Sequence, residues 1–201
     1  MRKIVLIVMV MAATAVVQGS GASDSFTDSR DGTTYRTVRI GNKTWMAQNL
    51  NFQTDNSWCY EDNADNCQAY GRLYDWNTAM KVCPAGWRLP GKADLNNLIR
   101  IAGGETAGKK LKSKPPTADD TEIPIASTWN GTDDFGFSAL PGGLRGADGS
   151  FRFIRGGSSW WAAKGFGDRA MHYVMSGGSN DVDVSNNGHK SAGNHVRCLQ
   201  N

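Results

Sequence analysis

Apolar positions fall into three regimes along the chain. Behind Arg2 and Lys3, residues 4–17 are almost wholly apolar. That run is shorter than the ~20 residues a bilayer-spanning helix needs. Small residues follow at Ser20-Gly21-Ala22, so the pattern predicts a secretory signal peptide over 1–22 rather than a retained membrane anchor. Residues 23–31 are polar and are expected to form a flexible leader, which leaves 32–201 as one domain without a transmembrane anchor once the signal is removed.

The second regime mixes periods. In residues 34–50, TYRTVRIGNKTWMAQNL, two strand-like runs flank Gly41-Asn42, and glycine at the first position of a two-residue loop suits a type II′ hairpin. Residues 53–70 read as a polar loop. Leu73, Trp76 and Met80 then recur at helical spacing, and Pro84 ends that helix. Leu95, Leu98, Ile99 and Ala102 predict a second helix, with Asp94 near its N-terminus and Gly103 at its C-cap. Between the helices, CPAGWRLP (83–90) reads as a bent connector whose Trp87 and Leu89 face the core.

The third regime begins at Phe135 after a Pro- and charge-rich loop, residues 112–120. Short runs (FGFSAL, SFRFI, SSWWAA, AMHYVM, DVDV, NHVRCL) are split by glycines and predict a twisted antiparallel sheet with long loops. A hairpin, two helices and then many strands make an α+β layout.

Composition sharpens this picture. The net charge of +3 falls to +1 without Arg2 and Lys3, so nothing marks a nucleic-acid partner. The four cysteines all follow the signal, and an even count in an exported chain argues for disulfides. Three connectivities are open. Cys59–Cys67 with Cys83–Cys198 is preferred, because the first closes a short turn-forming loop and the second ties mid-chain to the last strand. Zinc is disfavoured, since no Cys-x-x-Cys occurs and the histidines are scattered.

Five stretches, DGTTYRTVRIGNKTWMAQNLN, YGRLYDW, CPAGWRLP, GTDDFGFSALPGG and HVRC, occur in order between residues 31 and 200. Together they resemble the Fibrobacter succinogenes major paralogous domain, an exported bacterial domain of poorly defined role. GWRLP, the later GG-S-W and the terminal R-C also resemble the C-type-lectin-like fold, in the branch of the formylglycine-generating enzymes. The resemblance implies that both chain ends meet in one sheet flanked by two helices, with a helix end clamped to the last strand by Cys83–Cys198.

Candidate chemistry follows on three lines. The enzymes of that branch use paired redox cysteines or a copper thiolate, but Cys198 stands alone in its region and reads as structural, so no catalytic residue is expected. Sugar-binding C-type lectins use Glu-Pro-Asn or Gln-Pro-Asp with Trp-Asn-Asp. Neither occurs here, and Trp129-Asn130-Gly131 lacks the acid. Asp181 and Asp183 on one strand face, with Asn186 and Asn187 nearby, form a weak calcium candidate beside the alternative of a solvated edge strand. Trp160 and Trp161, adjacent on a strand, must face opposite ways, so one is expected in the core and the other exposed near Arg155 and His172. With Trp58, these residues form a candidate saccharide-stacking surface, or else pack the core and steady loops.

No nucleophile elbow, P-loop, dinucleotide fingerprint or His-Glu-x-x-His occurs after the signal. The expected function is a non-enzymatic binding or adhesion module, outside the cell or at its envelope. Its ligand is a polysaccharide or surface protein held by loops of the C-terminal half, with no cofactor unless calcium. The alternatives are an enzyme of the formylglycine-generating or hydrolase type, and a structural envelope component.

Overall fold

The structure is a computed structural model that describes residues 24–115 and 128–201. Residues 1–22, where a signal peptide is expected, and most of the Pro-rich loop lie outside the described residues. No helix among the described residues is long and apolar enough to cross a membrane.

The hairpin forms as the sequence predicts. Strand β1 (Asp24–Thr27) pairs with β2 (Thr34–Ile40), and β2 pairs antiparallel with β3 (Lys43–Met46). Gly41 turns the chain with φ 62°, a value that glycine adopts without steric cost. The presence of β1 corrects the expectation of a flexible leader. Its Phe26 ring lies 5.1 Å from that of Trp87. The β1–β2 connection is locked by the buried Asp28 carboxylate, which accepts Arg30 Nη2 at 2.6 Å.

The loop expected over 53–70 is more regular than its composition suggests. It carries β4 (Ser57–Trp58) and helix α1 (Ala64–Tyr70), whose first turn is capped by the Asn63 side chain accepting from the Asp65 amide. Next come β5 (Leu73–Tyr74) and α2 (Trp76–Val82). Leu73 therefore belongs to a strand, and Met80 is 43% exposed; the buried face of α2 is Ala79 and Val82. Asp75 sets the helix start by capping the Thr78 amide at 2.7 Å, so the apparent spacing from Leu73 straddles a strand–helix boundary. The connector contributes β6 (Trp87–Arg88), with Trp87 and Leu89 buried as expected. Helix α3 (Lys92–Ala102) buries Leu95, Leu98 and Ala102 and ends on Gly103 in the left-handed conformation. Asp94 both accepts the Gly91 amide and holds Arg88 at 2.7 Å. The short α4 (Ala107–Leu111) follows.

The remaining strands are β7 (Gly142–Arg145), β8 (Phe151–Ile154), β9 (Gly157–Phe166), β10 (Arg169–Ser176), β11 (Asp183–His189), β12 (Asn194–His195) and β13 (Leu199–Gln200). FGFSAL forms no strand; only Ala139 makes an isolated bridge, to Lys112. One sheet runs β1-β2-β3-β13-β6, so the hairpin and the last strand share it. The other runs β11-β10-β9-β12-β5-β4, with β7 alongside β9 and β8 alongside β7. It is mixed rather than purely antiparallel, because β12 and β7 both meet β9 in parallel. Both preferred disulfides are present, Cys59–Cys67 and Cys83–Cys198, and the second joins the end of α2 to the residue before β13.

Strand β9 is the centre of the molecule. Adjacent residues on a strand point to opposite faces, and here both faces are covered. Trp160 lies in a core with Leu95 and Leu98 of α3, Trp45, Phe137 and Tyr173. Trp161 lies in a second core with Ala79 and Val82 of α2, Met46, Tyr74 and Cys198.

Candidate functional site

Both central tryptophans are fully buried, which removes them from any ligand surface. Trp160 stacks on Tyr173 at 5.4 Å and donates to Asn49 Oδ1 at 2.8 Å. Trp161 donates to the Tyr74 carbonyl at 2.7 Å. The expectation that one of them is exposed fails because α2 and α3 each cover one face of β9. Sequence alternation does not encode that coverage.

The other sequence candidates scatter. Trp58 is half-buried, with the Arg145 guanidinium 4.3 Å over its ring, so one stacking face is already taken. Arg155 is exposed at the end of β8 in a left-handed conformation, φ 69°. His172 joins three strands: Ser159 Oγ lies 2.9 Å from Nδ1 and Asn187 Oδ1 lies 3.0 Å from Nε2. Asn187 Oδ1 also accepts from Ser185 Oγ. An acceptor at Nε2 fixes the proton there, so Nδ1 receives the serine hydroxyl. The chain Ser159–His172–Asn187 has the residue types of a hydrolase relay, but Ser159 is fully buried. Asp183 and Asn186 are exposed on β11, and the Asp181 carboxylate accepts the Ser179 hydroxyl. Among the described residues no group of three or more His, Cys, Asp or Glu side chains is placed to hold a metal ion.

The loops near the calcium candidate are instead tied by a lysine. Lys112 is fully buried, and its Nζ donates to Asn130 Oδ1 at 2.6 Å and to the Ser179 and Ser176 carbonyls at 2.7 and 2.8 Å. The Trp129 ring lies 4.9 Å away. Burial lowers its pKa to about 8, which leaves it charged at neutral pH. Three donors thus meet three acceptors, and an ammonium knits together the loop that carries Trp129-Asn130-Gly131. Gly131 is required there, because a Cβ would sit 2.0 Å from the Ser113 carbonyl oxygen.

The shared sequence stretches converge on a second buried cation. Arg197, from HVRC, is fully buried and donates Nε and Nη2 to Asn49 Oδ1 at 3.2 and 3.0 Å. It also reaches the Phe137 and Ser138 carbonyls and lies 4.3 Å over the Phe137 ring. Asn49 completes the knot by donating to the Tyr70 carbonyl at 2.8 Å. Desolvation lowers the Arg197 pKa to about 10, so it too stays charged at neutral pH. Ser138 is held in a left-handed turn by Asp133, which accepts its amide at 2.8 Å and its hydroxyl at 2.6 Å.

A groove opens in front of this knot. Its larger cavity, about 780 Å³, lies between the hairpin and α1, with Asn49, Tyr70 and Ser138 among its walls. A smaller cavity of about 560 Å³ includes Cys59, Phe52 and Arg72. The two share Asn51, Asp65, Cys67 and Gln68. Asn51 lines both, and its Oδ1 is a buried acceptor with no hydrogen-bond partner among the described residues. Of the candidate ligand residues only Arg155 bears on the groove, through its interaction with the Tyr70 phenol, and the Cys59–Cys67 disulfide lines the smaller cavity. The sequence reading missed the groove. Asn49, Asn51 and Ser138 lie in or beside the shared stretches, but nothing in their spacing showed that they meet.

Behind the groove wall, His195 is fully buried with Nδ1 3.1 Å from the Arg72 carbonyl, and burial pushes its pKa down to about 4. The unfolded chain binds this proton near pH 6.5 while the native state resists it down to about 4. The associated stability is therefore complete above pH 6.5 and is lost as pH falls through that window. The loss is roughly 3 kcal/mol. Denaturant titrations of wild type and His195→Asn between pH 7 and 4 should show a steeper loss in wild type by about that amount. Parallel pH dependences would show that His195 is not buried neutral.

These features define a disulfide-braced α+β domain with two mixed-polarity cores, a central strand covered on both faces, and a polar groove against the N-terminal hairpin. The chain matches the family model of the Fibrobacter succinogenes major domain over residues 38–200 and belongs to that family. No curated protein and no solved structure matches it.

Proposed function

We propose that the chain is an exported binding module, with a C-type-lectin-like fold, that holds a hydroxyl-rich ligand of the saccharide class in the groove between the hairpin and α1. The observation that carries this reading is Asn51, which lines both cavities and whose Oδ1 is a buried acceptor without a partner among the described residues. A desolvated acceptor is costly unless something donates to it, and a rotation of the Asn51 side chain toward the cavities it lines would bring that acceptor to a sugar hydroxyl. The surrounding wall suits the same ligand: Thr33, Thr34, Gln48 and Gln68 offer neutral polar groups, and the cavity size is ordinary for a small-ligand site. The groove lies on the N-terminal side of the domain rather than among the C-terminal loops favoured by sequence.

The test is calorimetric titration of plant and bacterial oligosaccharides into wild type and Asn51→Leu. The backbone bond from the Asn51 amide to Tyr35 Oη does not involve the replaced side chain. The variant is expected to keep its thermal midpoint and lose at least tenfold in affinity, about 1.4 kcal/mol or more. Binding that survives Asn51→Leu but disappears in a Trp58→Ala variant would move the site to the β4 side and end this reading.

A further inference from the structure

We infer that Cys59–Cys67 is a thiol-exchange site, a disulfide that opens in the folded protein by reaction with a small or protein thiol. The inference does not rest on the groove reading. Both cysteines line the smaller cavity, where Cys59 is half-buried and Cys67 is buried. Arg72 Nη1 lies 3.5 Å from each sulfur. The arginine is held in place by its Nε bond to Ser57 Oγ at 3.0 Å and by its amide bond to the Leu50 carbonyl at 3.0 Å.

Exchange needs a reachable sulfur and a leaving thiolate of low pKa, and an adjacent cation supplies the second. A fixed guanidinium touching both sulfurs favours the charge that appears when the bond breaks. The loop closed by the disulfide adds to this. Glu61 and Asp62 are consecutive non-glycine residues in the left-handed region, each with φ 53°. Such a conformation is held only where its surroundings enforce it, and opening the disulfide releases it.

The step is balanced as follows. A thiolate attacks Sγ of Cys59, the more exposed residue of the pair, and forms a new S–S bond. The Cys59–Cys67 bond breaks, and its electron pair leaves on Cys67 Sγ beside Arg72. A second thiolate then attacks the mixed disulfide, releases the external disulfide and leaves Cys59 as thiolate. Two external thiols are oxidised and one protein disulfide is reduced.

Cys83–Cys198 provides an internal reference. Cys198 is fully buried in the second core and Cys83 packs against it. Its opening is expected to follow global unfolding.

The oxidised protein would be incubated with dithiothreitol or reduced glutathione under native conditions, quenched with an alkylating reagent and mapped by peptide mass spectrometry. Cys59 and Cys67 are expected to be labelled at least ten times faster than Cys83 and Cys198. Arg72→Met should slow their opening several-fold, whereas Arg72→Lys, which keeps a cation, should slow it less. Simultaneous labelling of all four cysteines would overturn the proposal. So would Arg72→Met and Arg72→Lys both opening as fast as wild type.

Discussion

Replacing Arg197 by alanine is expected to destabilise the domain by about 4 kcal/mol, among the largest losses available from one side chain. The reason is what the guanidinium leaves behind. Removing it strips the donors from the Phe137 and Ser138 carbonyls, and each orphaned group in a buried site costs about 1–3 kcal/mol. It also opens a void beside Asn49 and Phe137. Opposing this, a buried charge is relieved, and the lowered pKa shows that burying this charge has a cost. The hydrogen-bond loss and the void outweigh that relief, because none of the acceptors gains a new donor. Arg197→Lys keeps the charge but cannot reproduce the fork onto Asn49 and two carbonyls, so about 2 kcal/mol is expected. Urea titrations should show a lower midpoint with an unchanged slope. A loss under about 1 kcal/mol for the alanine variant would put Arg197 among ordinary surface residues and refute the knot.

The same substitution links core to groove. Arg197 holds the Ser138 carbonyl, Asp133 holds the Ser138 amide and hydroxyl, and Ser138 is part of the groove wall. The last few residues of the chain thus position a surface built from the first hairpin.

What was legible in the sequence was local. Gly41-Asn42 wrote the hairpin, the spacing of Leu95, Leu98 and Ala102 wrote α3, and Gly103 wrote its end. The disulfides followed from an even cysteine count and one short loop. What was not legible depended on distant coverage. Alternation put Trp160 and Trp161 on opposite faces of β9, but helices from another part of the chain bury both. Residues 24–27 look like a leader until β2 offers them an edge and Trp87 offers Phe26 a surface. The helical spacing of Leu73 and Met80 was broken by the Asp75 cap between them. The groove was hidden for the same reason: Thr33, Asn49, Gln68, Ser113 and Ser138 come from separate segments. Asn51 and Arg197 appeared in the sequence only as members of shared stretches. Their roles need the third dimension, because one is defined by a missing partner and the other by partners 148 and 60 residues away.

Removing Cys83–Cys198 by a double alanine substitution should cost about 4–5 kcal/mol, and removing Cys59–Cys67 in the same way only about 2.5 kcal/mol. The two bonds span 115 and 8 residues, and in the chain-entropy account the cost grows with the logarithm of the loop closed. The native contacts around the longer bridge do not depend on it. The Met46 amide donates to the Cys198 carbonyl at 3.0 Å, and Leu199 pairs with both Trp45 and Arg88. The loss should therefore come from the unfolded state, which expands when the bridge is cut. That gives a second signature beyond the free energy: the urea slope should rise in the Cys83/Cys198 variant, as more surface is exposed on unfolding, and stay nearly fixed in the Cys59/Cys67 variant. Near-ultraviolet dichroism of the folded forms should match wild type, since the tryptophan cores are intact. If the short bridge proved as costly as the long one, native packing rather than chain entropy would hold the ends of this domain together. The position of Cys198 beside β13 would then be one contact among many rather than the clamp on the hairpin sheet.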